Sequence, residues 1–439
     1  MSELRLENVF GVSKDQVLSY VEREEVDGLF AEALQSDKQI VVYGASKQGK
    51  TSLVDKHLPY KQNIVVSLTP KFTLTDIYKS VLRSSGIDIE TMSQKSMCTS
   101  NQAAVEANLQ AKVPTLLDSG VSGSLQQVNS ETETKSIKSI DLNLELPNDI
   151  AFVLNKIHSK KIIVLENFHY LKEEVQKEFA YDLRSFQELG VRFIILGVWR
   201  EKNRLIQFNG DLLDRIFEIP VEPWEKEDFK KVAQIGSEKL NISIANDFLD
   251  QLIDDAFDSI GVVQELLKSV CEKSSIKNRQ TKQVEIVDIK ILEQAKSEKV
   301  HSYGSRHLRA LEAIAEGRKN AKNTKSDDLK TMPLYLPYYT VKAFLDFDFN
   351  EVVAGIKRSK LESKIKSFHH RRDDVRASDM SNLLYNFATL QSEKQIKPPI
   401  FDFDKTTQML RVIDSTFYFF LRNSDKNEIL GTIPNPTIN

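Results

Sequence analysis

The sequence predicts an α/β fold in three parts: a parallel sheet with helices on both faces, a purely helical unit, and a C-terminal unit of helices closed by a hairpin. Three observations lead there. Short apolar runs alternate with helix-patterned stretches over roughly residues 15–220, and strands separated by helices pair in parallel. From Pro223 to about Val300 apolar residues recur only at helical spacing. Residues 305–430 combine helical stretches with one hairpin pattern. The three parts are bounded as 1–222, 223–300 and 301–439.

The elements follow in order. Val21, Val26, Leu29, Phe30 and Leu34 recur at helix-like spacing within residues 1–36. "KQIVVYG" is a short apolar strand ending in glycine, and "ASKQGKTSLVDKHL" is a turn opening into a helix. "NIVVSLTP" is a second strand closed by Pro70, and "LTDIYKSVLRSSG" a helix stopped at Gly86. The tract from about Thr91 to Ser139 is rich in Ser, Thr, Gln and Asn and can bury little, so a mobile insertion or long loop is expected. "NDIAFVLNKI" is a helix capped by Asn148 or Asp149. The strand "IIVLEN", a helix near 173–188, the strand "VRFIILGVW" and the helix end and strand of "DLLDRIFEIPV" complete the sheet.

At 439 residues the chain exceeds one ordinary core, and two or three domains are expected. Its 41% hydrophobic and 28% charged residues suit a soluble globular protein. A formal net charge of -3 means that any nucleic-acid contact falls to a local patch. Cys98 and Cys271 match no metal-ligand spacing and point to a reducing compartment. The start "MSELRLENVF" lacks a basic-then-apolar signal, and no apolar run approaches the roughly 20 residues of a membrane span. A cytoplasmic protein that does not enter membranes is expected.

Gly44-Ala-Ser-Lys-Gln-Gly-Lys-Thr51 fits G-x-x-x-x-G-K-[ST] and stands between a strand and a helix, where the pattern has a mechanism. Gly44 and Gly49 permit the turn that lets the N–H groups of Ala45, Ser46, Lys47, Gln48 and the following residues face a polyphosphate. The helix opening at Lys50, Thr51 and Ser52 adds its positive end. Lys50 brings a point charge to the outer phosphates, and the Thr51 hydroxyl can ligate Mg²⁺. ATP with Mg²⁺ is therefore the expected ligand pair, although no base-reading motif separates ATP from GTP.

"IIVLENFHYL" runs from apolar residues straight into Glu166, which at the carboxyl edge of the sheet can orient the metal or its water. The bland alternative makes Glu166 a cap of the next turn. Asn167 follows where a second acid would polarise water; its amide positions water but accepts no proton. Slow turnover is expected, with transition-state charge met by Lys50, Mg²⁺ and any nearby arginine. Glu178 and Asp182 on the next helix are alternative bases or simply a solvated face, and His169 is a γ-phosphate sensor or a packed core histidine.

Together these residues resemble the AAA+/STAND branch of P-loop NTPases, in particular prokaryotic ATPases related to the origin-recognition group. The resemblance covers roughly residues 15–290. "YVEREEVDGLFAEAL" is similar to the helix opening that touches the adenine side, and "IIVLENFHYL" to the Walker B element. "RFIILGVWR" resembles the sensor-one strand, with Arg200 as candidate reader of the γ-phosphate. "GDLLDRIFEIPVEPW" resembles the segment that carries an arginine finger, which implies Arg215 reaching a neighbouring subunit; pairing with Asp211 or Asp214 is the alternative. The lid turn Gly261-Val262-Val263-Gln264 lacks the usual sensor-two arginine, leaving that role to Gln264, to the C-terminal unit, or unfilled.

The order of elements over 305–430 resembles a winged helix, the usual appendage in this group. The Lys357–Arg376 region concentrates basic residues and is either a DNA contact or a solvated surface. The aromatic "FYFFLR" reads as core closing the hairpin. The resemblance implies an ATP-binding switch that assembles into homo-oligomers and relays nucleotide state to a separate effector protein, by analogy in prokaryotic defence or mobile-element regulation. An ATP-dependent DNA loader and a non-hydrolysing nucleotide-stabilised scaffold are the alternatives.

Overall fold

The computed structural model describes residues 4–13, 16–91, 109–114, 137–157, 161–318 and 331–437. Helix α1 (Glu24–Gln35) precedes strand β1 (Gln39–Gly44), the phosphate loop and α2 (Lys50–His57). Then come β2 (Ile64–Ser67) and α3 (Leu74–Ser84), which starts in a capping box between Thr73 and Asp76. Strands β3 (Asp88–Thr91), β4 (Leu109–Pro114) and β5 (Ile137–Leu142) form a small antiparallel sheet of their own. The polar tract expected to be a loop thus contributes strands in its described parts; most of it, 92–108 and 115–136, lies outside the described residues. Helix α4 (Pro147–Lys156) opens on Pro147 with Leu146 before it, so neither Asn148 nor Asp149 is the cap. Proline at the first helical position needs no N–H partner there, which displaces the expected cap.

Strand β6 (Ile163–Glu166), α5 (Glu173–Glu188), β7 (Phe193–Val198), the short α6 (Arg204–Phe208) and β8 (Ile216–Pro220) complete the main layer. Its sheet is parallel, in the order β2-β6-β7-β1-β8. Strand β7 lies between β6 and the phosphate-loop strand β1. Since all five strands run the same way, Glu166 still leaves at the carboxyl edge, with the phosphate loop. Successive residues of each strand face opposite layers. Val41, Leu165 and Ile195 pack with α3, α4 and α5 on one face, and Val42, Val164 and Ile194 with α1 and α2 on the other.

The lid comprises α7 (Lys226–Leu240), β9 (Ile242–Ile244), α8 (Asn246–Ala256), α9 (Ile260–Lys273) and β10 (Val284–Ile286). It is not purely helical, because β9 and β10 pair in parallel. Helix α10 (Ile289–Glu316) follows, 28 residues or roughly 42 Å of rod. Leu292 and Ala295 belong to the lid core, while Ala310, Leu311 and Ile314 belong to the C-terminal core. One rigid element therefore serves two cores.

The C-terminal unit runs α11 (Leu336–Leu345), α12 (Phe349–Ala354), β11 (Ile356–Lys357), α13 (Arg358–Phe368), α14 (Ala377–Tyr385), α15 (Phe387–Glu393), β12 (Phe401–Asp404), β13 (Met409–Val412), α16 (Ser415–Arg422) and α17 (Lys426–Thr432). Strand β13 lies between β11 and β12, antiparallel to both, which gives the helix, strand, helices and hairpin order of a winged helix. "FYFFLR" is core, but as helix α16 and not as the close of the hairpin. Its residues from Ser415 to Leu421 are all buried, and a helix covered on every side shows no polar face to betray its period. The wing is docked on the α/β part through Arg204 to Asp402 (3.3 Å) and Lys405 to Glu173 (3.0 Å). Among the described residues no helix is long and apolar enough to cross a membrane.

Candidate functional site

The loop between β1 and α2 closes on Gly49, the residue before the helix, at φ +83°. That left-handed value favours glycine and lets the chain turn into α2 with the helix's positive end facing the loop. Lys50 is buried and folded back, donating to the carbonyls of Gly44 (3.0 Å) and Ala45 (2.6 Å). Burial lowers its ammonium to about 8, with Glu222 acting in the opposite sense. A buried cation beside a turn of backbone amides has the chemistry of a polyanion site.

Glu166 and Thr51 meet at the carboxyl edge, the hydroxyl 3.2 Å from Oε1. Tyr60, which sequence reading missed, donates its hydroxyl to the same oxygen at 2.8 Å. Burial and then the Glu166 charge push that phenol well above its usual range, so it stays a donor. An acid paired with a hydroxyl at a helix start is a donor set for a hard cation, and Mg²⁺ fits it through Thr51 and Glu166. Asn167 stands at φ +61° with its amide donating to Ser67 Oγ at 3.1 Å.

His169 enters the same region with both ring nitrogens buried and unpartnered. Burial, then the charges of Lys50 and Arg204, lowers it to about 3. Glu178 is exposed, and Asp182 accepts the Tyr78 hydroxyl at 2.5 Å between α3 and α5. Arg215 precedes β8 at the amino edge of the sheet, a five-residue strand or roughly 16 Å from the loop edge. It pairs with Glu188 (3.1 Å) and Gln187 (3.3 Å), not with Asp211 or Asp214. Asp211 is taken by Arg184 instead.

The loop is also held from three sides by contacts whose partners lie far apart in the sequence. From the segment just after β8, Glu222 accepts the Ala45 N–H at 2.6 Å and the Gln48 amide at 3.2 Å, and pairs with Arg200 at 2.8 Å. From the lid, Gly261 donates its N–H to the Lys47 carbonyl at 3.0 Å. A Cβ on Gly261 would stand 2.9 Å from that oxygen, so the close approach requires glycine. Gln264, the sensor-two substitute, is buried and engaged with Ser19 (2.9 Å) and Gly11 (3.1 Å).

From the C-terminal unit, the Ile413 carbonyl accepts the Ser46 N–H at 2.9 Å, Ser415 donates to the Ser46 carbonyl at 2.7 Å, and Asp414 accepts the Ser46 hydroxyl at 3.2 Å. Asp414 is itself paired with Arg306 of α10, and Lys47 reaches to 4.9 Å from the ring of Tyr303 on the same helix. No motif announces these contacts; "VEPW" and "IDST" are ordinary tetrapeptides until the chain folds.

Two further features involve the segment before α1. Arg23 of "YVEREE" lies 3.7 Å over the ring of Trp224 and donates to the Val221 carbonyl at 2.9 Å. A cavity of about 610 Å³ opens beside this segment, lined by Tyr20, Val21, Lys56 and Lys231 among others. The basic residues of the Lys357–Arg376 region are largely answered locally: Glu362 takes Arg358 (3.1 Å) and Lys366 (2.8 Å), Asp346 takes Lys364 (2.5 Å), and Asp374 takes Arg371 (2.7 Å).

The phosphate-loop motif after the first strand of a parallel sheet, the acid at the end of β6, the lid and the appended hairpin unit define an α/β fold with an AAA+-like arrangement and a winged-helix-like C-terminal part. Among solved structures the chain is similar to the Walker-type ATPase of Pyrococcus abyssi, at 16% identity and a TM-score of 0.43 over 92% of this chain and 96% of that one. It is similar to the ORC1 protein of Aeropyrum pernix, solved in complex with DNA, at 11% identity and 0.39 over 92% and 94%. A STAND protein with a tetratricopeptide repeat sensor from Pyrococcus horikoshii gives 12% and 0.34, over 96% of this chain and 44% of that one. No protein-family model and no curated protein matches the sequence.

Proposed function

We propose that this protein is an ATP-binding, slowly hydrolysing switch whose C-terminal unit responds to the occupancy of the phosphate loop. The observation that carries the reading is the grip of Ile413, Asp414 and Ser415 on Ser46, inside the loop itself. A polyphosphate that reorganises this turn must act on those contacts, and through Arg306 on the helix shared by two cores.

In this reading the loop amides and Lys50 bind the phosphates, and Thr51 and Glu166 hold Mg²⁺, which neutralises phosphate charge. The base takes the cavity beside Tyr20 and Val21. Asn167 orients water without accepting its proton, which sets a slow rate. Arg215 cannot serve its own loop from the far edge of the sheet, so its role is in a homo-oligomer. The effector is a separate protein, and by analogy the setting is prokaryotic defence or mobile-element regulation.

The test is the Kd of Mg-ATP by titration calorimetry for the parent and Lys50→Ala. The variant should bind about a hundredfold more weakly, since it loses a charged contact to the outer phosphates. Equal binding by the two proteins would end the reading.

A further inference from the structure

We propose that Glu222 is an internal competitor for the phosphate site, an anion that engages the loop's donors and is displaced when a polyphosphate binds. The inference rests on the nucleotide reading above and deepens it. One Glu222 oxygen accepts the Ala45 N–H at 2.6 Å, and the other accepts the Gln48 amide at 3.2 Å and the Arg200 guanidinium at 2.8 Å. Three donors at the phosphate loop thus converge on one carboxylate, the chemistry of an oxyanion seat. Glu222 is also the charge that acts on the buried Lys50 ammonium.

Placing a polyphosphate against this loop would bring its charge beside a fixed carboxylate in a partly buried site, where repulsion is weakly screened. The carboxylate therefore withdraws on binding, and Arg200 is left to pair with the arriving anion. Arg200 is held for that exchange from its other side, where the Tyr418 hydroxyl lies 3.5 Å away and its ring centroid 5.5 Å from the guanidinium carbon. Glu222 is thus a positioning residue: it stores Arg200 beside the loop and sets the threshold of ligand concentration at which the loop opens. Tyr418 lies on α16, so release of Arg200 also changes what the C-terminal unit touches.

The experiment measures Kd for Mg-ATP and for ADP by calorimetry in the full chain, with Lys50→Ala as reference. Glu222→Gln keeps the shape and removes the charge; Glu222→Asp keeps the charge but shortens its reach to the Ala45 N–H. Both should tighten Mg-ATP binding about tenfold, the worth of one charge-assisted hydrogen bond no longer broken on binding. Arg200→Gln should weaken Mg-ATP by about tenfold and ADP by less. If Lys50→Ala binds like the parent, the nucleotide reading itself fails. If Lys50→Ala loses binding while both Glu222 variants match the parent or bind more weakly, the competitor is overturned and the nucleotide reading stands. Should one Glu222 variant not fold, the other decides alone.

Discussion

Ser415 donates its hydroxyl to the carbonyl of Ser46 at 2.7 Å, joining residues 369 positions apart in the sequence. Ser46 is the third residue of the phosphate loop and Ser415 the first of helix α16. A change in the loop and a change in the docking of the C-terminal unit are therefore two ends of one set of hydrogen bonds.

If that set must loosen for nucleotide to enter, weakening it favours the bound form. Ser415→Ala removes one neutral hydrogen bond, about 1 kcal/mol of stability. Asp414→Asn, which breaks a buried charged contact to Arg306, should cost about 2 kcal/mol in urea unfolding. The same Ser415→Ala protein should bind ATP about fivefold more tightly, the equivalent of 1 kcal/mol. A loss of stability with no change in ATP affinity would separate the clamp from the loop.

Lys50 sets a pH dependence. Burial lowers its ammonium to about 8 in the free protein, and a bound polyphosphate favours the charged form. Binding must then take up a proton above that pH. Apparent ATP affinity should be level below about pH 8 and fall by about tenfold per unit above it. Calorimetry in two buffers of different ionisation enthalpy would detect the proton uptake at pH 9 and its absence at pH 6.5.

Asn167 should throttle turnover. Asn167→Asp supplies a proton acceptor and suits the left-handed backbone at φ +61°, which aspartate tolerates better than most residues. General-base catalysis contributes roughly a hundredfold or more where it operates, so a rise of at least about tenfold in phosphate release is expected. Unchanged release with ATP binding intact would mean that the second acid is not what limits the rate.

Arg215 belongs to assembly in the proposed function. Its partly exposed pair with Glu188 is worth at most about 1 kcal/mol, so Arg215→Ala should fold and bind ATP like the parent. Light scattering should show the parent gaining mass with ATP and Mg²⁺ and the variant remaining small. A parent that stays monomeric under those conditions would remove the trans role.

The phosphate loop could be read in advance because its eight residues are consecutive and its chemistry local: a strand, two glycines, a lysine, a hydroxyl and a helix start. The acid of "IIVLEN" was readable for the same reason, since an apolar run ending in a carboxylate marks a strand exit. Arg200 was readable as a candidate at the end of "RFIILGVWR", but Tyr60 and Glu222 were not. Each of these two is unremarkable beside its neighbours in sequence and acquires meaning only from the carboxylate or amide it meets. The basic stretch from Lys357 to Arg376 shows the reverse case, for a run of positive charge is dispersed once Glu362, Asp346 and Asp374 fold against it.

Sequence alone determined the phosphate-loop motif and the alternation of strands and helices that carries it, because both depend on residue types at fixed short spacings. The tertiary structure alone decided the order β2-β6-β7-β1-β8 and the closure of the loop by Glu222, Gly261 and Ser415. Parallel strands leave no mark in sequence of which neighbour they will take, and a hydrogen bond across hundreds of residues is fixed only when the separate cores have packed.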